Sequence, residues 1–216
     1  PKEIFDIPEF RTINIHPSYL PVYRGQHVVN WAIINGENET GVTIHYIDEG
    51  IDTGDIIIQK KVPISYEDTA KTLHDKIYSE ACELVIDVIH SIASGKQIIS
   101  KKQDDKKATY FHPRVPEDGR IDWNKSGLEI YNLIRGLAKP WPGAYGYIKG
   151  KKIIIWSAIF EVSVSYKNSY GEICDISNSS FTIITNDGKL IVDDYMVLDE
   201  NENELNFNIE VGDRIE

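Results

Sequence analysis

The stretch from Ser65 to Gly95 constrains this chain more than any other. Ser65 reads as an N-cap ahead of Glu67 and Asp68, and apolar residues then recur at Leu73, Ile77, Ala81, Leu84, Val85 and Val88 until Ser94 and Gly95 end the pattern. A helix with one apolar stripe has to bury it against something. The preceding sequence supplies strands. "TINIH" (12–16), "TGVTIHYID" (40–48) and "DIIIQKKVPI" (55–64) read as β-strands, the second alternating Val42, Ile44 and Tyr46 with polar residues. Between them lie the loop "PSYLPVYRG", a short helix in "QHVVNWAIINGE" closed by Gly36, and the turn "EGIDTG" with Asp52 inside it. The first half of the chain therefore reads as α/β.

After an exposed-looking connection, "SKKQDDKKAT", and the irregular "YFHPRVPEDGRIDW", a second helix is expected from Ser126 to Ala138. Its buried side would be Leu128, Tyr131, Leu133, Ile134 and Leu137, and "KPWPGAYG" would stop it. Beyond Gly146 the pieces "YIKGKKIIIW", "FEVSV", "GEICDI", "FTIITNDGKLIV" and "IEVGDRI" are short strands, with "NDG" an apt hairpin turn. Their spacing suits a small, partly closed β-barrel. Two domains are expected, residues 1–110 and 111–216.

With 41% hydrophobic and 26% charged residues among 216, the composition is that of a soluble globular chain, and no apolar run is long enough to cross a bilayer. The opening "PKEIFDIPEF" lacks the features of a secretory signal, and Cys82 and Cys174 form no Cys-x-x-Cys pair, so cytoplasmic, unpaired thiols are expected. His27, His45, His74, His90 and His112 show no ligand-like spacing; they read as surface or core histidines, and no metal site is expected. Trp123, Trp141 and Tyr110 read as packing residues.

Chemistry gathers elsewhere. Positions two apart on a strand face the same way, so Asn14 and His16 present an amide and an imidazole on one face, roughly 6 to 7 Å apart. An amide N–H can steady an oxyanion, an imidazole can carry a proton at neutral pH, and a carboxylate can orient the imidazole. Asp52, in a glycine-flanked turn beside the neighbouring strand, is the candidate acid.

Four separated stretches, "NIHPSYLPVYRG", "NGENETGVTIHYIDEGIDTGDII", "PEDGRIDW" and "KPWPGAYGYIKGKKIIIW", together resemble the folate-dependent formyltransferases, which include methionyl-tRNA formyltransferases and nucleotide amino-sugar N-formyltransferases. The resemblance implies the C-terminal half of a Rossmann-like formyltransferase core followed by an OB-like β-barrel. It also implies that Asn14, His16 and Asp52 are the catalytic set, and that 10-formyltetrahydrofolate is the formyl donor. The attack of a primary amine on the formyl carbon would create an oxyanion for Asn14 and a protonated His16 to steady. His16 would move the amine's proton, with Asp52 either fixing the ring or joining the relay. The pterin would lie near the turn, against Ile47, Asp48, Gly50 and Gly54. Ser18 and Arg24 of the loop would border the same cleft, Arg24 offering its charge to a substrate phosphate.

Charge speaks to the acceptor. The formal net charge is −11, and residues 151–216 carry five Lys or Arg against thirteen Asp or Glu, a net of −8. A polyanion would be repelled, so nucleic acid is an unexpected partner and a nucleotide-linked amino sugar the expected one. Asn30-Trp31 also resembles the sugar-modifying members. The alternatives are a methionyl-tRNA formyltransferase, a formyltetrahydrofolate hydrolase with water as acceptor, and a non-catalytic association module. The last follows from a further expectation: the strand and helix units that open the family's core precede the point where "PKEIF" begins, so the chain reads as a fragment whose uncovered half-sheet could pair with another chain or form a homo-oligomer.

Overall fold

A computed structural model describes residues 2–163 and 169–216; Pro1, and Val164 at the end of "FEVSV", lie outside the described residues. The chain forms two compact units. One comprises Glu37–Asp68, Thr72–Arg114 and the chain before Ile33; the other comprises Val115–Glu216 with the short pieces Ile33–Gly36 and Thr69–Lys71.

In the first unit a single helical turn, α1 (Lys2–Phe5), precedes β1 (Ile13–His16), the two-residue β2 (Arg24–Gly25) and α2 (Val28–Ile34). Next come β3 (Glu39–Tyr46), β4 (Ile56–Pro63), the long α3 (Ala70–Ala93) and the two-residue β5 (Tyr110–Phe111). β1, β3 and β4 form one antiparallel sheet in that order, while β2 and β5 pair in parallel. The alternation read from "TGVTIHYID" places Val42 and Ile44 at zero exposure, and β3, the middle strand, is buried from Thr40 to Tyr46.

The helix expected from Ser65 begins five residues later, at Ala70. Ser65 does not cap it. Its backbone N–H instead donates to the Asp68 carboxylate, which also accepts from the Thr72 hydroxyl and the Lys76 ammonium at 2.8 and 2.5 Å. Burial pushes the Asp68 carboxyl up, but these three donors outweigh it and bring its pKa down to about 2. Leu73, Ile77, Ala81, Leu84 and Val88 are buried as the periodicity predicts, and Lys60 of β4 pairs with Glu80 and Glu83 along the helix.

The second unit contains α4 (Gly127–Gly136) and the strands β6 (Ala144–Ile148), β7 (Lys151–Val162), β8 (Ile173–Ser177), β9 (Ser180–Ile184) and β10 (Gly188–Leu198). Ser126 caps α4 and exchanges hydrogen bonds with Glu129, a capping box. Ile130, Ile134 and Leu137 pack with Ile153, Ile155, Phe181, Leu190 and Val192 in one core. Leu128, expected inside, is 42% exposed because the buried face of α4 runs through Ile130 and Ile134. "IIIW" and "FEV" fuse into the single long β7, and Asn186 and Asp187 turn the β9–β10 hairpin.

The expected OB-like barrel is not confirmed: no closed barrel is found, and among the described residues the strands form an antiparallel sheet in the order β6-β7-β10-β9-β8. Its outer strands β6 and β8 do not pair with each other. The "IEVGDRI" segment forms no strand; instead Ile215 bridges to Ile148 of β6, and Arg214 bridges to Glu172 just before β8. The terminal segment thus hydrogen-bonds both to β6 and to the start of β8. No helix among the described residues is long and apolar enough to cross a membrane.

Candidate active site

The register of the first sheet assembles the site. Asn14 of β1 stands directly opposite His45 of β3, so their side chains share a face with His16, two residues on. The turn after β3 then returns Asp52 to that face, with the aspartate in the left-handed region at φ 55°. The three residues singled out in the sequence meet: Asn14 Nδ2 lies 3.4 Å from Asp52 Oδ1, and His16 Nδ1 lies 3.4 Å from Asp52 Oδ2. A fourth residue joins them. His45 Nε2 is 3.2 Å from Asn14 Nδ2 and 3.6 Å from Asp52 Oδ1.

Asp52 is held from several directions. Its Oδ2 accepts the backbone N–H of Gly25 at 2.9 Å. Gly25 adopts φ +104° and crosses so close to β5 that a Cβ there would sit 2.2 Å from the Phe111 carbonyl oxygen, so only glycine fits. On the far side of the turn, a Cβ on Gly54 would lie 1.7 Å from the Tyr46 carbonyl oxygen. The buried Gln103 donates its amide to the carbonyl oxygens of both Asp52 and Gly54, at 2.8 and 2.7 Å.

His16 is buried and its Nε2 is 2.7 Å from the Tyr23 carbonyl oxygen. A carbonyl can only accept, so Nε2 carries the proton and Nδ1 is left facing Asp52. Burial lowers the His16 pKa below the usual 6.5; Asp52 and the Tyr23 carbonyl pull it up without overcoming that, and His45 adds to the lowering. Burial likewise pushes the Asp52 carboxyl up, but the donors facing it, the Gly25 N–H among them, outweigh it and hold it below the usual carboxylate range.

Because the native His16 takes up its proton at lower pH than the unfolded chain does, its contribution to stability is complete above about pH 6.5 and is lost as pH falls through the native value. Urea midpoints measured from pH 8 to 5 should therefore fall more steeply for the wild type than for His16→Gln. Parallel curves would contradict the assignment.

The other expected residues separate into loop and brace. Asp48 Oδ1 accepts from the Gly50 N–H and the Thr53 hydroxyl, which shapes the turn, while the Ile47 N–H donates to the Thr12 carbonyl. Gly50 and Ile51 form its exposed tip. Ser18 is buried and its hydroxyl donates to the Val22 carbonyl oxygen. Arg24 is corrected: its guanidinium is 1% exposed and offers no free face to a phosphate. Its donors go to Gln103 Oε1 at 3.2 and 2.7 Å, the Tyr110 hydroxyl at 2.5 Å and Asp105 Oδ1 at 2.9 Å. The "KKQDDKK" run is corrected too. All of it but Gln103 is exposed, yet it is more than a linker, since Lys101 exchanges backbone hydrogen bonds with Ile56, and Gln103 is buried behind the Asp52 turn.

Residues 1–89 match the Formyl transferase family and residues 114–202 match Formyl transferase, C-terminal domain. The chain belongs to the formyl transferase family. Among curated formyl transferases, it is 46% identical over 158 residues to the methionyl-tRNA formyltransferase of Caldanaerobacter subterraneus, covering 73% of this chain and 50% of that protein. The chain spans about half to three-fifths of the length of the curated relatives it matches. Of solved structures, the N-formyltransferase from Helicobacter canadensis, in complex with folinic acid and dTDP-3-aminofucose, matches with TM-score 0.68 and 29% identity. That match covers 85% of this chain and 65% of the other. Methionyl-tRNA formyltransferase from Clostridium thermocellum matches with TM-score 0.63 and 26% identity, covering 92% and 73%.

Two residues of this site escaped sequence reasoning. From sequence His45 reads as one of the surface or core histidines, and only its cross-strand position opposite Asn14 brings it in. Gln103 sat in a charged run with no periodicity to mark it as buried.

Proposed function

We propose that this chain carries the formyl-transfer centre of a folate-dependent N-formyltransferase, with 10-formyltetrahydrofolate as donor and a primary amine as acceptor. The observation that carries this reading is the convergence of Asn14, His16 and His45 on the single carboxylate of Asp52. The donor supplies an electrophilic one-carbon acyl group. The exposed tip at Gly50 and Ile51, with the buried Gly54 behind it, leaves backbone accessible to a flat ring, and Ile47, Asp48, Gly50 and Gly54 are the residues that would hold the pterin.

His16 Nδ1 and Asp52 Oδ2, 3.4 Å apart, would share the proton that the amine loses as its nitrogen bonds to the formyl carbon. They would return it to the donor nitrogen as that nitrogen's bond to carbon breaks. Asp52 thus both orients the imidazole and stabilises its protonated form.

Methionyl-tRNA is the first acceptor to test, on the strength of the 46% identity to a methionyl-tRNA formyltransferase. A nucleotide-linked amino sugar is the second reading, and one observation favours it. In the acidic second unit several cations are paired with carboxylates rather than free for a phosphate backbone: Lys139 pairs with Asp194, Lys149 with Glu210 and Asp213, and Lys151 with Glu200.

The test is to incubate the full 216-residue chain with 10-formyltetrahydrofolate and either methionyl-tRNA or a panel of nucleotide amino sugars, and to identify N-formyl product by mass spectrometry. Formylated tRNA or formylated sugar identifies the acceptor. Formate released without any acceptor would replace transfer by hydrolysis, and no turnover with either class would leave the association-module reading in its place.

A further inference from the structure

We infer that His45 is a positioning residue: it holds the Asn14 amide with both N–H groups turned inward and its carbonyl oxygen left to accept an N–H of the attacking amine. This rests on the formyl-transfer reading for its chemistry, but the orientation itself follows from hydrogen-bond accounting.

His45 is 2% exposed and its Nδ1 lies 2.8 Å from the carbonyl oxygen of Tyr46. That oxygen has only lone pairs, so Nδ1 carries the hydrogen and Nε2 presents a lone pair. At 3.6 Å, Nε2 is too far from Asp52 Oδ1 for a hydrogen bond. Its partner is Asn14 Nδ2 at 3.2 Å, which therefore donates one N–H to the ring. The other N–H points to Asp52 Oδ1 at 3.4 Å. Reversing the amide would set its oxygen against both a carboxylate oxygen and a ring lone pair. Both Asn14 donors are thus committed, and no described residue hydrogen-bonds to its Oδ1.

This changes what Asn14 does. In place of an N–H for an oxyanion, the site presents a carbonyl oxygen that can accept from a primary amine and so turn the nitrogen's lone pair toward the formyl carbon. The polar atoms of His45 face Asn14 and the Tyr46 carbonyl, and it acts by making the opposite orientation of Asn14 unfavourable. Glutamine can replace it as an acceptor, and phenylalanine can replace only its shape.

Two measurements test this. In the wild-type chain labelled with 15N in Asn and His, the His45 ring should be in its Nδ1–H form, with a through-hydrogen-bond coupling between Asn14 Nδ2 and His45 Nε2. An Nε2–H ring without that coupling overturns the proposal, whether or not the chain has activity. In formyl transfer, His45→Phe should lower kcat by about tenfold or more with little change in KM for the formyl donor, and His45→Gln should recover most of it. Equal kcat for wild type and a folded His45→Phe, or a Gln variant as slow as Phe, also overturns it. If the wild type transfers no formyl group to any amine, the functional reading fails, and the spectrum still decides how Asn14 is held.

Discussion

Asp52→Asn is expected to lower formyl-transfer turnover by on the order of 10² to 10⁴ while leaving the fold intact. The variant keeps a side-chain oxygen for the Gly25 N–H, which now binds the carboxylate at 2.9 Å, so the turn should survive. What disappears is the charge. A neutral amide cannot share a proton with His16 Nδ1, and it can meet that ring only as a hydrogen-bond partner of fixed direction. A second consequence follows in the titration of His16. Its pKa is already lowered by burial, and Asp52 is the strongest influence opposing that lowering, so removing the carboxylate should move the titration to still lower pH. NMR titration of the His16 ring reads this directly. Turnover within about threefold of wild type, or an unchanged His16 midpoint, would take Asp52 out of the proton-handling role.

The second large effect concerns stability. Arg24→Met should cost about 2 to 4 kcal/mol, seen as a lower urea midpoint at unchanged slope. Methionine fills the space of the aliphatic stem, but nothing replaces the two hydrogen bonds to the Gln103 oxygen or those to Tyr110 and Asp105. Because Asp105 is 73% exposed it can return to water; the buried Gln103 oxygen cannot, and that asymmetry locates most of the loss. Arg24→Lys should also destabilise, since one ammonium cannot span three acceptors in the guanidinium's plane. A change under about 0.5 kcal/mol would mean that the network is not the brace described. The sequence alone suggested a different phenotype, weakened acceptor binding, because a cation in a glycine-containing loop looks free until its burial is known.

That contrast shows where the sequence could be read. β-branched runs and period-2 alternation marked β1, β3 and β4, and the 3.6-residue recurrence of Leu73, Ile77 and Ala81 marked α3, because these patterns are local and burial enforces them. Asn14, His16 and Asp52 could be proposed together because a strand fixes which side chains share a face and four motifs stand in family order. The start of α3 was misplaced because Asp68 draws the Ser65 N–H into a turn of its own. His45 and Gln103 were not recognisable because their importance depends on register and on a contact 51 residues away in the chain, neither of which leaves a periodic trace. Closure of the second unit's sheet is not legible for a related reason: strand spacing reports how many strands there are, not whether the two outermost meet.

The brace behind the Asp52 turn has a consequence for the order of events during synthesis. Asn14, His16, His45 and Asp52 leave the ribosome before Gln103, yet the turn that carries Asp52 is pinned by Gln103, which is itself gripped by a buried arginine also tied to Tyr110. A nascent chain that has emerged only through α3 holds Asn14, His16, His45 and Asp52 and lacks the strut that aligns them. The turn that carries Asp52 is braced only once the following segment has folded back, so the four side chains are expected to come into register only then.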